Sequence, residues 1–267
     1  MRVVVKLKII NVVKEKDKVK ITLSDNTSFL ISKENYLNNP LIIDNEITKE
    51  EVAKAINQEK IFKAKEAAYK FMNRKRRSEV EVSLLLSEVS IDEETIEELL
   101  ITFRSQGYLN DLELARDIVN RSLINKHGKE KIREKLNERM ISYKDIDVAI
   151  SSIDEEEYEE NLIKLIKNYS SRYKNDSFAL TKKKITNNLL SKGYSFKDIE
   201  KVKNILHFDE ESEIESVKKQ LIKLCKREED LNSWPIRAKI KAKLINKGFK
   251  NDIIERAFRE VIENEIN

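Results

Sequence analysis

Apolar positions follow two different rhythms along the chain. In residues 3–32, β-branched segments at Val3–Val13, Val19–Leu23 and Ser28–Ile31 are separated by Lys14–Lys18 and by Ser24-Asp25-Asn26-Thr27. Strand formers bounded by turn residues predict a three-strand meander. A sheet of that size is marginal alone and has to lean on the helices that follow. Pro40 marks a connection, and Thr48 with Glu51 three residues on supplies a capping box for a helix through Ala53 and Ile56.

From there to the end the rhythm is helical and repeats itself. Offsets of 4, 9, 14, 17 and 21 from Val82 select Leu86, Ile91, Ile96, Leu99 and Phe103. The same offsets from Ile132 select Leu136, Ile141, Ile146, Ala149 and Ile153; from Ile185, Leu189, Tyr194, Ile199, Val202 and Leu206; from Ile240, Leu244, Phe249, Ile254, Ala257 and Val261. All are apolar. Successive copies lie 50, 53 and 55 residues apart while the block keeps its internal spacing, so the length variation falls before each block. Offsets 0 and 4 share one helix face, offsets 14, 17 and 21 share a face of a second helix, and offset 9 falls in the turn between them.

The turn carries its own signals. Offset 8 holds Ser90, Met140, Gly193 and Gly248, where a left-handed residue would end the first helix. Ser90, Ser142, Ser195 and Asn251 or its neighbours offer N-caps for the second. Each block follows another amphipathic stretch, at Ala67–Met72, Leu112–Leu123, Leu162–Tyr169 and Ile214–Leu224. The predicted fold is mainly α: tandem three-helix repeats in an elongated, curved array, with a small N-terminal β-meander. The expected divisions are a β-rich extension at 1–47, a linker helix with the first repeat at 48–107, and repeats at 108–155, 156–208 and 209–267.

Composition narrows the function classes. The 267 residues include four Gly, two Pro and 37% charged residues, too few turn formers for a large sandwich, barrel or Gly-rich nucleotide site. One cysteine, Cys225, excludes an intrachain disulfide, and two distant histidines, His127 and His207, offer no metal cluster among sequence neighbours. A reduced, cytoplasmic protein is expected, without a membrane span, cofactor, metal site or catalytic residue. Cys225 reads as buried packing and His127, beside Gly128, as a cap or exposed side chain at an interhelical turn. Tyr69, Tyr143, Tyr194, Phe196 and Phe249 read as core residues rather than base-stacking platforms. Trp234 beside Pro235 marks the start of a helix.

Charge is balanced in sum, 52 Lys+Arg against 48 Asp+Glu, but not in distribution. Basic runs precede or occupy the middle helix of each unit: Arg74-Lys75-Arg76-Arg77; Lys126, Lys129, Lys131, Arg133 and Lys135; Lys182-Lys183-Lys184; Arg237, Lys239, Lys241 and Lys243. Acidic runs open neighbouring helices, where they also suit the helix dipole. Stacking equivalent helices would align the basic segments for a polyanion or an acidic filament.

Three stretches resemble one family. Arg74-Lys75-Arg76-Arg77-Ser78 with Glu81 is similar to an Arg-x-Arg-Ser-x-x-Glu-Leu signature. Gly107-Tyr108-Leu109-Asn110-Asp111 with Leu114-Ala115 is similar to Gly-x-Leu/Ile-Asn-Asp-x-x-x-Ala. Lys126-His127-Gly128 with Ile132 and Leu136 is similar to Gly-x-x-x-Ile-x-x-x-Leu. Together they resemble RecX, the bacterial regulator of the RecA recombinase, over about residues 60–155. Departures are Met140 where Gly is usual, and Val80 and Val82 where Glu-Leu is usual. The β-rich extension and the extra repeat are similar to longer Gram-positive members.

The resemblance implies a non-enzymatic protein that binds RecA in the groove of its DNA filament. It also implies inhibition of RecA's ATPase, strand exchange and co-protease activity in recombination and the SOS response. Expected partners are RecA, the RecA–DNA filament, and single- and double-stranded DNA directly; the chain is expected to be a monomer. Arg74, Arg76, Arg77, Lys126, Lys129, Arg133, Lys183 and Lys241 are the candidate contacts. The alternative is a helical-repeat protein that binds DNA without sequence preference and acts without RecA.

Overall fold

The computed structural model describes residues 6–89, 91–205, 210–225 and 233–266. Residues 3–5, Ser90, Leu206, His207 and the side chain of Cys225 lie outside the described residues. In chain order the elements are β1 (Lys6–Lys14), β2 (Lys18–Leu23), β3 (Ser28–Ser32), α1 (Lys33–Asn38), β4 (Glu46–Thr48), α2 (Lys49–Arg74), α3 (Glu79–Ser87), α4 (Glu93–Ser105), α5 (Asp111–Ile124), α6 (Lys129–Glu138), α7 (Tyr143–Ser151), α8 (Glu155–Arg172), α9 (Phe178–Ser191), α10 (Phe196–Lys201), α11 (Glu210–Cys225), α12 (Trp234–Asn246) and α13 (Asn251–Ile266). They form two compact units, 1–115 with 137–145, and 116–136 with 146–267.

In the first unit the meander is completed by a strand the sequence pattern did not reveal. The antiparallel order is β3-β2-β1-β4, with Leu7 opposite Ile47. β4 is three residues long and buries only Ile47, too little to show an alternation. A bulge at Ile10 places one extra residue in β1, so that Ile9 and Val12, three apart, both pair with inward residues of β2, Leu23 and Ile21. Ile9, Val19, Ile21, Leu23, Ile31 and Ile47 form the core beneath the sheet. Glu59 of α2 ties that sheet to the helices: one buried carboxylate oxygen accepts from the Ser32 amide at 2.9 Å, the Ser32 hydroxyl at 3.0 Å and the Asn35 amide group at 3.1 Å. A buried carboxylate requires a set of donors of this kind.

Helix α2 starts where its capping box predicts, with Thr48 and Glu51 exchanging side-chain and backbone bonds. It then runs unbroken for 26 residues, so the linker helix and the first helix of the first repeat are one element. Ala64, Ala68 and Met72, four apart, face the core built by Val82, Leu86, Ile96, Leu99 and Phe103.

Every apolar position selected by the repeat offsets is buried among the described residues. Ser142 and Ser195 cap α7 and α10, whereas α4 is capped by Asp92 and Asn251 is already the first residue of α13. At offset 8, Met140, Gly193 and Gly248 all adopt positive φ, +53°, +86° and +83°.

Middle helices α6, α9 and α12 meet end to end. In the second unit the Gly128 and Glu130 amides, at the start of α6, donate to the carbonyl oxygens of Lys192 and Gly193 at the end of α9, at 2.8 and 3.1 Å. The Ser177 amide before α9 donates to the Lys247 carbonyl at the end of α12, at 3.0 Å. The first amide of α6, α9 and α3 is taken by a side chain from the following repeat's first helix: Lys129 by the Tyr158 hydroxyl at 3.1 Å, Phe178 by Glu213 at 3.0 Å and, in the first unit, Glu79 by Asp111 at 2.9 Å.

These junctions explain which turns hold glycine. A Cβ on Gly193 would stand 2.3 Å from the Lys131 nitrogen, one on Gly128 2.1 Å from the Gly193 oxygen, and one on Gly248 2.6 Å from the Ser177 hydroxyl. At the α3–α6 junction the Ser78 amide bonds to its own Glu81 at 2.9 Å and the connection is made by the long side chain of Arg139, so Met140 fits there. Gly193→Ala is expected to cost about 3 kcal/mol or more by forcing the junction open. Met140→Gly, which relieves a left-handed residue, should change stability by about 1 kcal/mol or less. Urea unfolding of the two variants measures the contrast; equal effects would disprove the packing argument.

Candidate partner-binding surface

The junctions place the basic segments at the approaches to the middle helices, and the side chains there have unequal commitments. In the first unit Arg74, the last residue of α2, is exposed and forms no ion pair among the described residues. Arg76 pairs with Glu113 at 3.0 Å. Arg77 turns inward, its guanidinium 3.6 Å from the Phe71 ring centre and 3.7 Å from Glu81.

Glu81 is also held at 2.7 Å by Arg139, which donates to the Arg76 carbonyl as well. Burial pushes the Glu81 carboxyl up; hydrogen bonds from Arg139 and the Ser78 amide, with the charges of Arg139 and Arg77, outweigh it and hold the group below its usual range. Nearby Asp111 goes the other way, raised by burial and by Glu79, Asp145 and Glu81 despite the Glu79 amide bond.

In the second unit Lys126 occupies a left-handed turn residue, φ +54°, and forms no ion pair among the described residues. Lys129 lies 4.8 Å over the Tyr158 ring and pairs with Glu155. Arg133 pairs with Asp147 at 2.8 Å, and Lys241 with Glu255. These two pairs occupy the same offsets, 1 and 15, in their repeats. Lys183 is exposed and without an ion pair among the described residues.

His127 is half-buried, its Nδ1 3.0 Å from the Lys135 ammonium. Burial, then the charges of Lys135, Lys192 and Lys131, keep the imidazole below its ordinary pKa, so it is neutral at pH 7 and Nδ1 accepts. Lys131, Lys135 and Lys192 thus concentrate positive charge around a group that adds none.

Two aromatics expected in the core, Tyr143 and Phe196, face solvent instead, while Trp234 opens α12 as its sequence predicts. Tyr194 and Phe249 are core residues and Tyr69 is half-buried, but Tyr143 is 79% exposed, Phe196 65% and Trp234 79%. Tyr143 and Phe196 both sit at offset 11, outside the apolar set, where the other copies carry Glu93 and Asn251. That polar equivalence was the available signal for a solvent-facing position.

Among the described residues no His, Cys, Asp or Glu cluster has a metal-binding arrangement, and no helix is long and apolar enough to cross a membrane. No family model matches the chain. A regulatory protein RecX from Clostridioides difficile (strain 630) is 32% identical over 196 residues, spanning 73% of this chain and 92% of its own. The chain belongs to the RecX family. A regulatory protein RecX from Leuconostoc mesenteroides is 27% identical over 257 residues, 94% of this chain and 96% of the relative. Crystal structures of a regulatory protein RecX and of RecX from Lactobacillus salivarius share the fold. Their TM-scores are 0.59 and 0.52, each at 24% identity, covering 74% and 55% of this chain and 99% and 96% of theirs.

The stretches that resemble RecX motifs carry junction chemistry. Ser78 and Glu81 form the capping box of α3. Gly107 has φ +77°, Asn110 accepts the Glu113 amide at 3.0 Å to start α5, and Asp111 receives the Glu79 amide. Gly128 permits the backbone contact with Gly193. Ser78, Glu81, Gly107, Asn110, Asp111 and Gly128 are thus accounted for by helix caps, turns and joins between repeats.

The Glu81 clamp has a definite pH signature. Because the folded carboxyl titrates below its ordinary value of 4.5, its stabilisation is present above that value and is lost as pH falls through the folded pKa. Glu81→Gln should lower Tm near neutrality, with the gap to the native chain narrowing below about pH 4. A gap independent of pH would rule out the ionised clamp.

Proposed function

We propose that this RecX-family chain is a non-enzymatic, cytoplasmic regulator that binds RecA and its DNA filament as a monomer. In this reading it lowers RecA's ATP hydrolysis, strand exchange and co-protease activity. The observation that carries it is the 32% identity to a regulatory protein RecX across most of both chains. The exposed cations at the approaches to the middle helices add a surface of the right sign for DNA or an acidic filament groove.

The eight candidates take different parts. Arg74, Lys126 and Lys183 contact the filament directly, since no carboxylate among the described residues has to be displaced. Arg76, Lys129, Arg133 and Lys241 exchange solvent-accessible carboxylates for phosphate or acidic side chains; exposed ion pairs of this kind are worth about 0–1 kcal/mol and yield readily. Arg77 supports the surface through Phe71 and Glu81.

Titrating the protein into RecA's single-stranded-DNA-dependent ATPase tests this reading. Inhibition well below one protein per RecA is expected, and the Arg74→Glu/Lys126→Glu/Lys183→Glu triple variant should shift the titration at least tenfold with unchanged Tm. Inhibition that requires saturation of the DNA would favour a DNA-binding protein acting without RecA. An undisturbed titration by the triple variant would remove those residues from the surface.

A further inference from the structure

The pentapeptide Ser142-Tyr143-Lys144-Asp145-Ile146 recurs as Ser195-Phe196-Lys197-Asp198-Ile199, at offsets 10 to 14 of the second and third repeats. Folding accounts for three of its five positions. Each Ser hydroxyl accepts the amide of the Asp three residues on, at 3.2 and 3.1 Å, and donates to that carboxylate at 2.7 Å in both copies. Each Ile is buried.

The other two positions do nothing for the fold. Tyr143 and Phe196 project into solvent at helix starts whose equivalents in the other repeats are Glu93 and Asn251. Lys144 and Lys197 are exposed and form no ion pair among the described residues. A single exposed aromatic needs no explanation. The same aromatic–lysine pair, presented by the same capped turn in two repeats, is a reused element.

We propose that these two turns are contact points for single-stranded nucleic acid, each ring stacking on the face of a base and the adjoining lysine meeting a phosphate. Tyr in one copy and Phe in the other make the shared group the ring face, not the hydroxyl. Base faces are open to a side chain in a single strand and covered in a duplex. Protein interfaces are depleted in lysine, whereas phosphate contact uses it freely, so lysine beside each ring favours nucleic acid over a protein groove. Stacking accepts any base, so binding is without sequence preference.

The proposal deepens the DNA-binding part of the reading above and rests on it for the presence of nucleic acid. The test measures anisotropy of labelled oligothymidylate and of an abasic oligodeoxynucleotide of equal length, alongside the ATPase titration. The full-length chain should bind oligothymidylate about tenfold or more tightly than the abasic strand. Tyr143→Ala/Phe196→Ala should abolish that preference at unchanged Tm, and Tyr143→Phe/Phe196→Tyr should keep it. Lys144→Ala/Lys197→Ala should weaken both strands and flatten the salt dependence by about 0.7 per lysine in log–log slope.

Equal binding of both strands by the native chain overturns stacking while leaving DNA binding intact. Loss of ATPase inhibition in the alanine variant with no binding of either strand overturns it in favour of a protein contact. Failure in both assays removes the proposal together with the reading it rests on.

Discussion

Helix ends are the constraint on which this structure depends. An α-helix leaves four amides unpaired at its start and four carbonyls at its end, and burying either without partners costs several kcal/mol. Tandem repeats bury such ends at each join. This chain meets the difficulty by seating the start of one middle helix on the end of the next, as α6 does on α9 and α9 on α12, so orphan donors find orphan acceptors. The arrangement also sets the positive end of one helix dipole against the negative end of another. Where Arg139 makes the join, a side chain performs the task that backbone contact performs elsewhere.

That solution determines where charge is displayed. The middle helices begin at the junctions, so the turns leading into them hold Arg76, Lys126 and Lys129 near the surface on a framework fixed by Gly128, Tyr158 and Glu81. Lys131, Lys135 and Lys192 surround His127, whose imidazole is held below its ordinary pKa by burial and by their charges.

The sequence made the repeat legible through burial, the strongest signal available. Ile132, Leu136, Ile141 and Ile146 keep their spacing because they fill a core, and their counterparts do the same in every repeat. Thr48, Ser142 and Ser195 were readable as caps because each bonds within three residues. β4 escaped notice because three residues with one buried Ile47 carry no period.

The ion pairs escaped for a related reason: Arg76 and Glu113 lie 37 residues apart, and nothing local links them. Arg74-Lys75-Arg76-Arg77 looked like one basic cluster, yet the fold sends Arg77 inward to Phe71. Tyr143 and Phe196 have the aromatic character of core residues, but their repeat position, shared with Glu93 and Asn251, is a solvent-facing one.

The end-to-end seating of middle helices is tested most directly by amide hydrogen exchange, residue by residue, under native conditions. Amides in the first turn of an exposed helix exchange freely. The Gly128, Lys129, Glu130, Ser177 and Phe178 amides are all donated to the neighbouring repeat. They should therefore exchange as slowly as those in the middle of α6 and α9. Exchange at unprotected rates at these five positions, with the helix interiors still protected, would contradict the account.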